Sequence, residues 1–293
     1  IDPLKLFANG GFNTGHGHLR TPNSIASYAA LAAIILQANQ NEQHGGQSIP
    51  NFDYAMAPGV NKSFKKALRS NLEKYNKYSG KKVDIKIPDD IAYGDNETLK
   101  KLKIPETVIE TSNEDVEKQT FQAMEGFIHN LNTMHSRAGA QVPFTSINFG
   151  TDTTPAGRLV SKNLLDATEK GLGHGETPIF PISIFKVKEG VSYNPEDPNY
   201  DLFKHSMEVS SKRLFPNFTF IDAPFNIKYY KKGDYNTEIA TMGCRTRVFS
   251  SVFPESDGIV TGRGNNSFTT INLVRLGIKH GIALKERKEA DWT

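Results

Sequence analysis

The sequence predicts an α/β protein, and three features predict it. From Gln141 onward, β-rich runs alternate with helix-compatible ones, the pattern of a sheet covered by helices. Before that point, long stretches carry apolar residues at spacings of three and four, as core-facing helices do. The 293 residues are 37% hydrophobic and 23% charged, an ordinary globular composition with length enough for a sizeable core in one large or two medium domains.

The first element to justify is NGGFNTGHG, residues 9–17, whose glycines predict a loop leading into structure. Pro22 then precedes Asn23 and Ser24, either of which can accept the free amides of a helix start. The run 25–43 contains no glycine or proline and is stopped by Gly45 and Gly46. Its apolar residues, among them Ile25, Tyr28, Leu31, Ile34, Ile35 and Leu36, cover more than one stripe, which predicts burial in a core or a subunit interface. Residues 51–110 are lysine-rich and weakly patterned, with a helix expected over 62–78. Ser112, with Asp115 three residues later, resembles a capping box opening a second long helix to about Ser136, with Val116, Thr120, Ala123, Phe127, Leu131 and Met134 on one face.

The second half predicts strands at 142–149, 179–187, 217–222 and 247–253, helices at 156–171 and 200–214, turns around Cys244, and a last apolar segment over 268–278. There is no internal repeat and no low-complexity tract.

Charge narrows the function little. Thirty-five basic residues against 32 acidic leave a net charge of +3, and the runs Lys65/Lys66, Lys81/Lys82 and Lys231/Lys232 read as solvated faces, so direct nucleic-acid binding is not expected. The longest apolar run, residues 29–36, is far short of the roughly 18 residues of a membrane span, and no signal-peptide pattern opens the chain. The expected location is cytoplasmic. The chain starts at Ile1 without methionine and stops after a charged run, which reads as an excerpt of a longer polypeptide.

A single cysteine, Cys244, excludes an intramolecular disulfide and a cysteine cage for metal. A lone cysteine is commonly buried and inert, but this one lies between Gly243 and Arg245, and a second glycine-rich polar loop, 262–266, follows soon after. Two such loops suggest a site. His16, His18, His44 and His174 match no common zinc spacing, and the loop of His16 and His18 could instead present backbone amides to phosphate. The glycines of 171–175 follow a helix and precede a strand, the wrong order for a dinucleotide site. Neither a GxxxxGK phosphate loop nor a GxSxG elbow occurs.

Read in order, NGGF, RTPNSIASYAALAAI, NQNEQHGGQS, VPFTSINFGTDT, GLGHGETPIFPISIFKVKEGVSY, DPNYDLF, SKRLFPNF, MGCRTRV and GRGNNSFTTINLVRLGI resemble the anaerobic, class III ribonucleotide reductases over essentially the whole chain. The resemblance implies the fold shared with pyruvate formate-lyase, a ten-stranded α/β barrel with a loop threading its centre and a cysteine at the tip. This sequence would supply part of it, with 1–140 the mainly helical, dimer and allosteric side and 141–293 the strands, helices and cysteine loop. Cys244 matches the cysteine that a glycyl radical oxidises to a thiyl radical, which removes the 3′ hydrogen of a ribonucleoside triphosphate. Asn265 matches the active-site asparagine, with Asn266 its neighbour, and Met242 a methionine of the formate-using members. Asn23 and Ser24 match a loop near the substrate, although helix capping explains them equally.

The resemblance further implies ATP and deoxynucleotide effectors, formate as reductant, a homodimer and a radical-SAM activating enzyme. The family's N-terminal ATP-binding domain, its C-terminal glycyl-radical and zinc domain and its second active-site cysteine have no counterpart here, so this segment alone is expected to be inactive. Two other readings stay open. A pyruvate formate-lyase-like enzyme would place two cysteines side by side, whereas Cys244 adjoins Arg245. A nucleotide-binding or split-gene partner on the same barrel would bind without turnover.

Overall fold

The computed structural model describes residues 1–43, 45–80, 83–136, 139–243, 246–248, 258–264 and 269–280. It opens with helix α1 (Pro3–Ala8), whose N-terminus is capped by Asp2. The glycine-rich segment expected to be a loop forms a small antiparallel hairpin instead, β1 (Gly11–Asn13) with β2 (His18–Arg20). A Cβ at Gly11 would lie 1.9 Å from the Leu19 carbonyl oxygen, so glycine is what lets these strands approach. Helix α2 (Ile25–Glu42) starts where the sequence predicts: the Ser24 hydroxyl accepts the Ser27 amide at 3.3 Å, and the Ser27 hydroxyl accepts the Ser24 amide at 3.0 Å.

Strand β3 (Gln47–Ile49) leads into α3 (Phe52–Tyr78), which starts ten residues before the expected helix and carries Pro58 inside it. Proline in a helix interior costs about 3 kcal/mol. Phe52, Met56, Val60 and Phe64, four residues apart, are all fully buried, and at about 1.5–3 kcal/mol each their burial outweighs that cost. After α4 (Asn96–Lys101) comes α5 (Glu106–Thr133), which also starts earlier than predicted. Ser112 is therefore not a cap but an interior residue, its hydroxyl donating to the Val108 carbonyl at 2.6 Å and accepting from the Asn71 amide at 3.1 Å. The apolar period simply extends back through buried Val108 and Ile109.

The alternating half follows as β4 (Thr145–Phe149), α6 (Pro155–Lys170), β5 (Ile182–Val187), α7 (Tyr200–Arg213), β6 (Asn217–Phe220) and α8 (Pro224–Ile227). Strand β7 (Ala240–Met242) pairs antiparallel with β8 (Thr246–Val248), and α9 (Leu273–His280) replaces the end of the last apolar segment, with Leu273, Val274 and Ile278 exposed. Of the strand expected over 247–253, residues 249–253 lie outside the described residues.

Among the described residues the main sheet has four strands in the order β3-β4-β5-β6, all parallel. The protein is a mixed α/β fold built on that sheet. Helix α5 packs on α2, α3 and α6, and α6 on α7, covering one face of the sheet. On that face Phe149 meets Phe185 edge to face at 5.5 Å between centroids, and Phe203 of α7 meets both Phe185 and Phe218. None of the described helices is long and apolar enough to cross a membrane.

Candidate active site

Side chains alternate between the two faces of a strand, and residues paired across parallel strands share a face. The pairings Ser48 with Ser146, Asn148 with Ile184 and Lys186 with Thr219 therefore put a polar row on the side opposite the helices. Strand β7 lies against this row and runs opposite to β4. Its predecessor Glu238 sits beside Thr151, Thr241 beside Asn148, and Gly243 beside Ser146.

The contact is made by side chains gripping backbone. The Asn148 Oδ1 accepts the Thr241 amide at 2.9 Å and the Thr241 hydroxyl at 3.2 Å, while its Nδ2 donates to the Thr241 carbonyl at 2.9 Å. The Ser48 hydroxyl donates to that same carbonyl at 3.1 Å. The Gly243 amide donates to the Ser146 hydroxyl oxygen at 3.1 Å. Next to it, Gly46 and Gly243 lie back to back: a Cβ at Gly46 would stand 2.9 Å from the Gly243 Cα and 3.0 Å from the Phe144 ring. Gly243 has φ +55, which favours glycine in its own right.

At the other end, the base of β7 is tied down by charge. Glu238 is 1% exposed; it takes 2.7 Å and 3.2 Å ion pairs from Lys188 and Lys186 and a 3.0 Å hydrogen bond from the Thr151 hydroxyl. Lys186, likewise buried, also donates to the Asn51 side-chain oxygen at 2.7 Å. Burial alone would raise the Glu238 pKa, but Lys186, Lys188 and the hydrogen bonds outweigh it and hold the carboxyl below its ordinary value. For Lys188, burial works against the charged form, and Glu238 and Tyr230 more than compensate, so its pKa is raised.

Beside this cluster, Asp53 Oδ2 accepts three successive amides, from Gly150, Thr151 and Asp152, at 2.8, 3.1 and 3.0 Å. Complete burial, followed by the nearby Asp152 carboxyl, nevertheless raises the Asp53 pKa to about 6. Asp152 is raised too, by burial. These groups organise the loop after β4 against the start of α3.

Of the residues expected at the site, Met242 is half-buried at the end of β7, in a narrow cleft shared with Ser48, Pro50, Val248, Val260 and Arg263. That cleft brings together the β7 segment and the start of the second glycine-rich loop. Cys244, Asn265, Asn266 and His44 lie outside the described residues. Asn23 and Ser24 are not brought to this cleft. They stand at the N-terminal end of an 18-residue helix, roughly 27 Å long at about 1.5 Å per residue, whose other end leads to Gly46. His16 and His18 are exposed on the β1–β2 hairpin, His18 contacting the Gly10 carbonyl at 3.2 Å. Among the described residues no group of three or more His, Cys, Asp or Glu could hold a metal ion.

Sequence reasoning missed Ser48, Ser146, Asn148, Lys186 and Glu238. For Ser146, Asn148 and Lys186 the signal is present in TSINF and ISIFKV, where polar residues recur at every second position or interrupt an apolar run inside a strand.

Comparison with known proteins agrees over nearly the full length. A model of the anaerobic ribonucleoside-triphosphate reductase family matches residues 2–290. An anaerobic ribonucleoside-triphosphate reductase of Enterobacteria phage T4 is 32% identical over 290 residues, covering 97% of this chain and 42% of that protein. One from Escherichia coli is 28% identical over 279 residues, covering 94% and 34%. A crystal structure of the anaerobic ribonucleotide reductase from Thermotoga maritima, in complex with dATP and CTP, overlaps 76% of this chain and 33% of that one, at 11% identity and a TM-score of 0.47. The chain thus spans well under half the length of the relatives it matches. With a family model covering all but its extreme ends, the chain belongs to the anaerobic ribonucleoside-triphosphate reductase family.

Proposed function

We propose that this chain forms the substrate-reducing core of an anaerobic ribonucleoside-triphosphate reductase and that Cys244 is its radical residue. The observation that carries the reading is the β7–β8 hairpin, held against the polar face of a parallel sheet, with residues 243–245 between its strands. Cys244 is the middle residue of that connection. The fold in the complete enzyme is the ten-stranded barrel shared with pyruvate formate-lyase, to which the four parallel strands contribute, the hairpin threading its interior.

In the reaction, the thiyl sulfur of Cys244 takes the 3′ hydrogen of the ribose, forming an S–H bond as the C–H bond breaks. The two bonds are close in strength, so the hydrogen can be handed back after turnover. The 2′ hydroxyl leaves as water, and formate supplies two electrons. Overall, a ribonucleoside triphosphate and formic acid give a deoxyribonucleoside triphosphate, carbon dioxide and water. A glycyl radical in a C-terminal domain of the complete enzyme supplies the oxidation of the thiol. Asn265, with Asn266 beside it, is proposed to hold the ribose hydroxyls or the reductant, and Met242 to line the formate position. The cleft that Met242 shares with Arg263 supports this pairing of loops. Asn23 and Ser24 are proposed substrate neighbours on the resemblance alone; their capping bonds already account for them.

The reading extends to 1–140 as the dimer and effector side. Helices α2 and α5 share a surface groove lined by Ala26, Ala30, Gln119, Gln122, Gly126 and Asn130, where small side chains and amides suit a second subunit and an ATP or deoxynucleotide effector. An N-terminal ATP-binding domain, a zinc site in the C-terminal domain, a radical-SAM activating partner and a cytoplasmic location complete the proposal.

The test is Cys244→Ala in the complete enzyme. Reduction should vanish while the glycyl-radical signal persists, because only hydrogen abstraction is lost. Turnover near the wild-type rate would overturn the assignment.

A further inference from the structure

Strand β7 meets the main sheet through side chains rather than through a backbone ladder, and one residue dominates that contact. Asn148 is fully buried, and it satisfies both the amide and the carbonyl of Thr241 with one side chain. A carboxamide is the group that can do this, because it offers an acceptor and a donor side by side, as a neighbouring strand would. Its Nδ2 also donates to the Ser48 hydroxyl at 3.3 Å, which ties the grip to β3. Two residues after Thr241, just past the end of β7, the Gly243 amide donates to the Ser146 hydroxyl, and Gly243 is the last described residue before Cys244.

We propose that Asn148 is a positioning residue that sets the register of β7 on the sheet, and through it the reach of Cys244, with Ser146 as the second point of the same clamp. The inference rests on the reading of Cys244 as the radical residue. Its physical basis is distance. A slip of one residue along a strand moves the chain by about 3.3 Å and reverses which side each residue faces. Hydrogen transfer requires the reacting atoms to be roughly 3–3.5 Å apart, and a misplacement of about 1 Å can cost on the order of 100-fold in rate. Burial of apolar side chains, being non-directional, cannot by itself supply that precision. The paired bonds to Thr241 can, because Ala240 and Met242, on either side of it, present their amides and carbonyls in the opposite direction along a strand.

The experiment uses the complete enzyme carrying its glycyl radical, with Asn148→Ala and Ser146→Ala compared with wild type. Turnover per glycyl radical, KM, thermal stability and the isotope effect with a 3′-deuterated ribonucleoside triphosphate are measured. Asn148→Ala should lower kcat on the order of 100-fold, and Ser146→Ala roughly tenfold, about the worth of one hydrogen bond. In both, KM should stay within about twofold, the signature of an interaction that matters at the chemical step. The isotope effect should rise in both, because hydrogen abstraction becomes slower than the other steps. Wild-type turnover per radical and an unchanged isotope effect in both variants would overturn the proposal and leave Asn148 a structural residue. If Asn148→Ala does not fold, Ser146→Ala decides alone, since among the described residues the contact its hydroxyl makes is with the Gly243 amide. Failure here with Cys244→Ala still inactive would sink the clamp and spare the radical assignment; an active Cys244→Ala would sink both.

Discussion

On the helix side of the sheet, Ile147, Phe149, Phe185 and Val187 exclude water with no polar atom among their side chains. One residue away along the same strands, Ser146, Asn148 and Lys186 turn a hydroxyl, an amide and an ammonium toward β7 and its base. Both faces are buried to a similar degree, but they are held by different forces. Apolar packing is strong, non-directional and roughly proportional to the area removed from water. Buried hydrogen bonds and ion pairs add less net stability, yet leaving one partner unmet is costly, so they penalise every register but one. The helix side keeps the protein folded, and the hairpin side keeps β7 in place.

The sharpest way to break that division is to exchange the roles experimentally. Phe185→Ala should lower unfolding free energy by about 3–5 kcal/mol through the cavity left against Phe149, Phe203 and Phe218. Thermal or denaturant unfolding measures it, and a loss below about 1 kcal/mol would show that the helix side is not the main source of stability. Next in size is Glu238→Gln, which leaves Lys186 and Lys188 beside a neutral partner and should cost about 3 kcal/mol. Adding Lys186→Met to that variant should recover part of the loss. If the double variant is no better than the single one, the charge pairing is not what Glu238 contributes.

The smallest effect separates two carboxylates of the polar cluster by pH. Asp53 has a folded-state pKa of about 6 against an ordinary 3.8, so in that interval the folded state binds more protons than the unfolded one. Its contribution is complete below the ordinary value and is lost as pH rises through about 6, by roughly 1–3 kcal/mol. Glu238, held below its ordinary pKa, acts in the opposite sense: its contribution is present at neutral pH and is lost as pH falls through its folded-state value. Asp53→Asn should therefore flatten the decline in melting temperature between pH 4 and 7 without abolishing acid unfolding. An unaltered profile would remove Asp53 as its cause.

Much of the scaffold was legible because its signals are local. The Ser24 cap, the glycine stop after α2, and the cores of β4, β5 and β6 each depend on a few adjacent residues. Other elements were hidden for stated reasons. Three-residue β3 is too short to show a period and exists by pairing with β4. The start of α3 lay behind Pro58, whose cost only tertiary burial offsets. Ser112 carries a cap's side chain in a helix interior because Asn71 and the Val108 carbonyl satisfy it there.

By itself the sequence determined the α/β class, the main helices and the family likeness carried by successive segments along the chain, since each is written in contiguous residues whose propensities and motifs act over a few positions. Tertiary structure decided the hairpin's seat. Asn148 and Thr241 are separated by 93 positions, Ser146 and Gly243 by 97, and Lys186 and Glu238 by 52. No local pattern marks such partners, because a polar side chain in a strand becomes a clamp only when folding brings an unsatisfied backbone or an opposite charge against it.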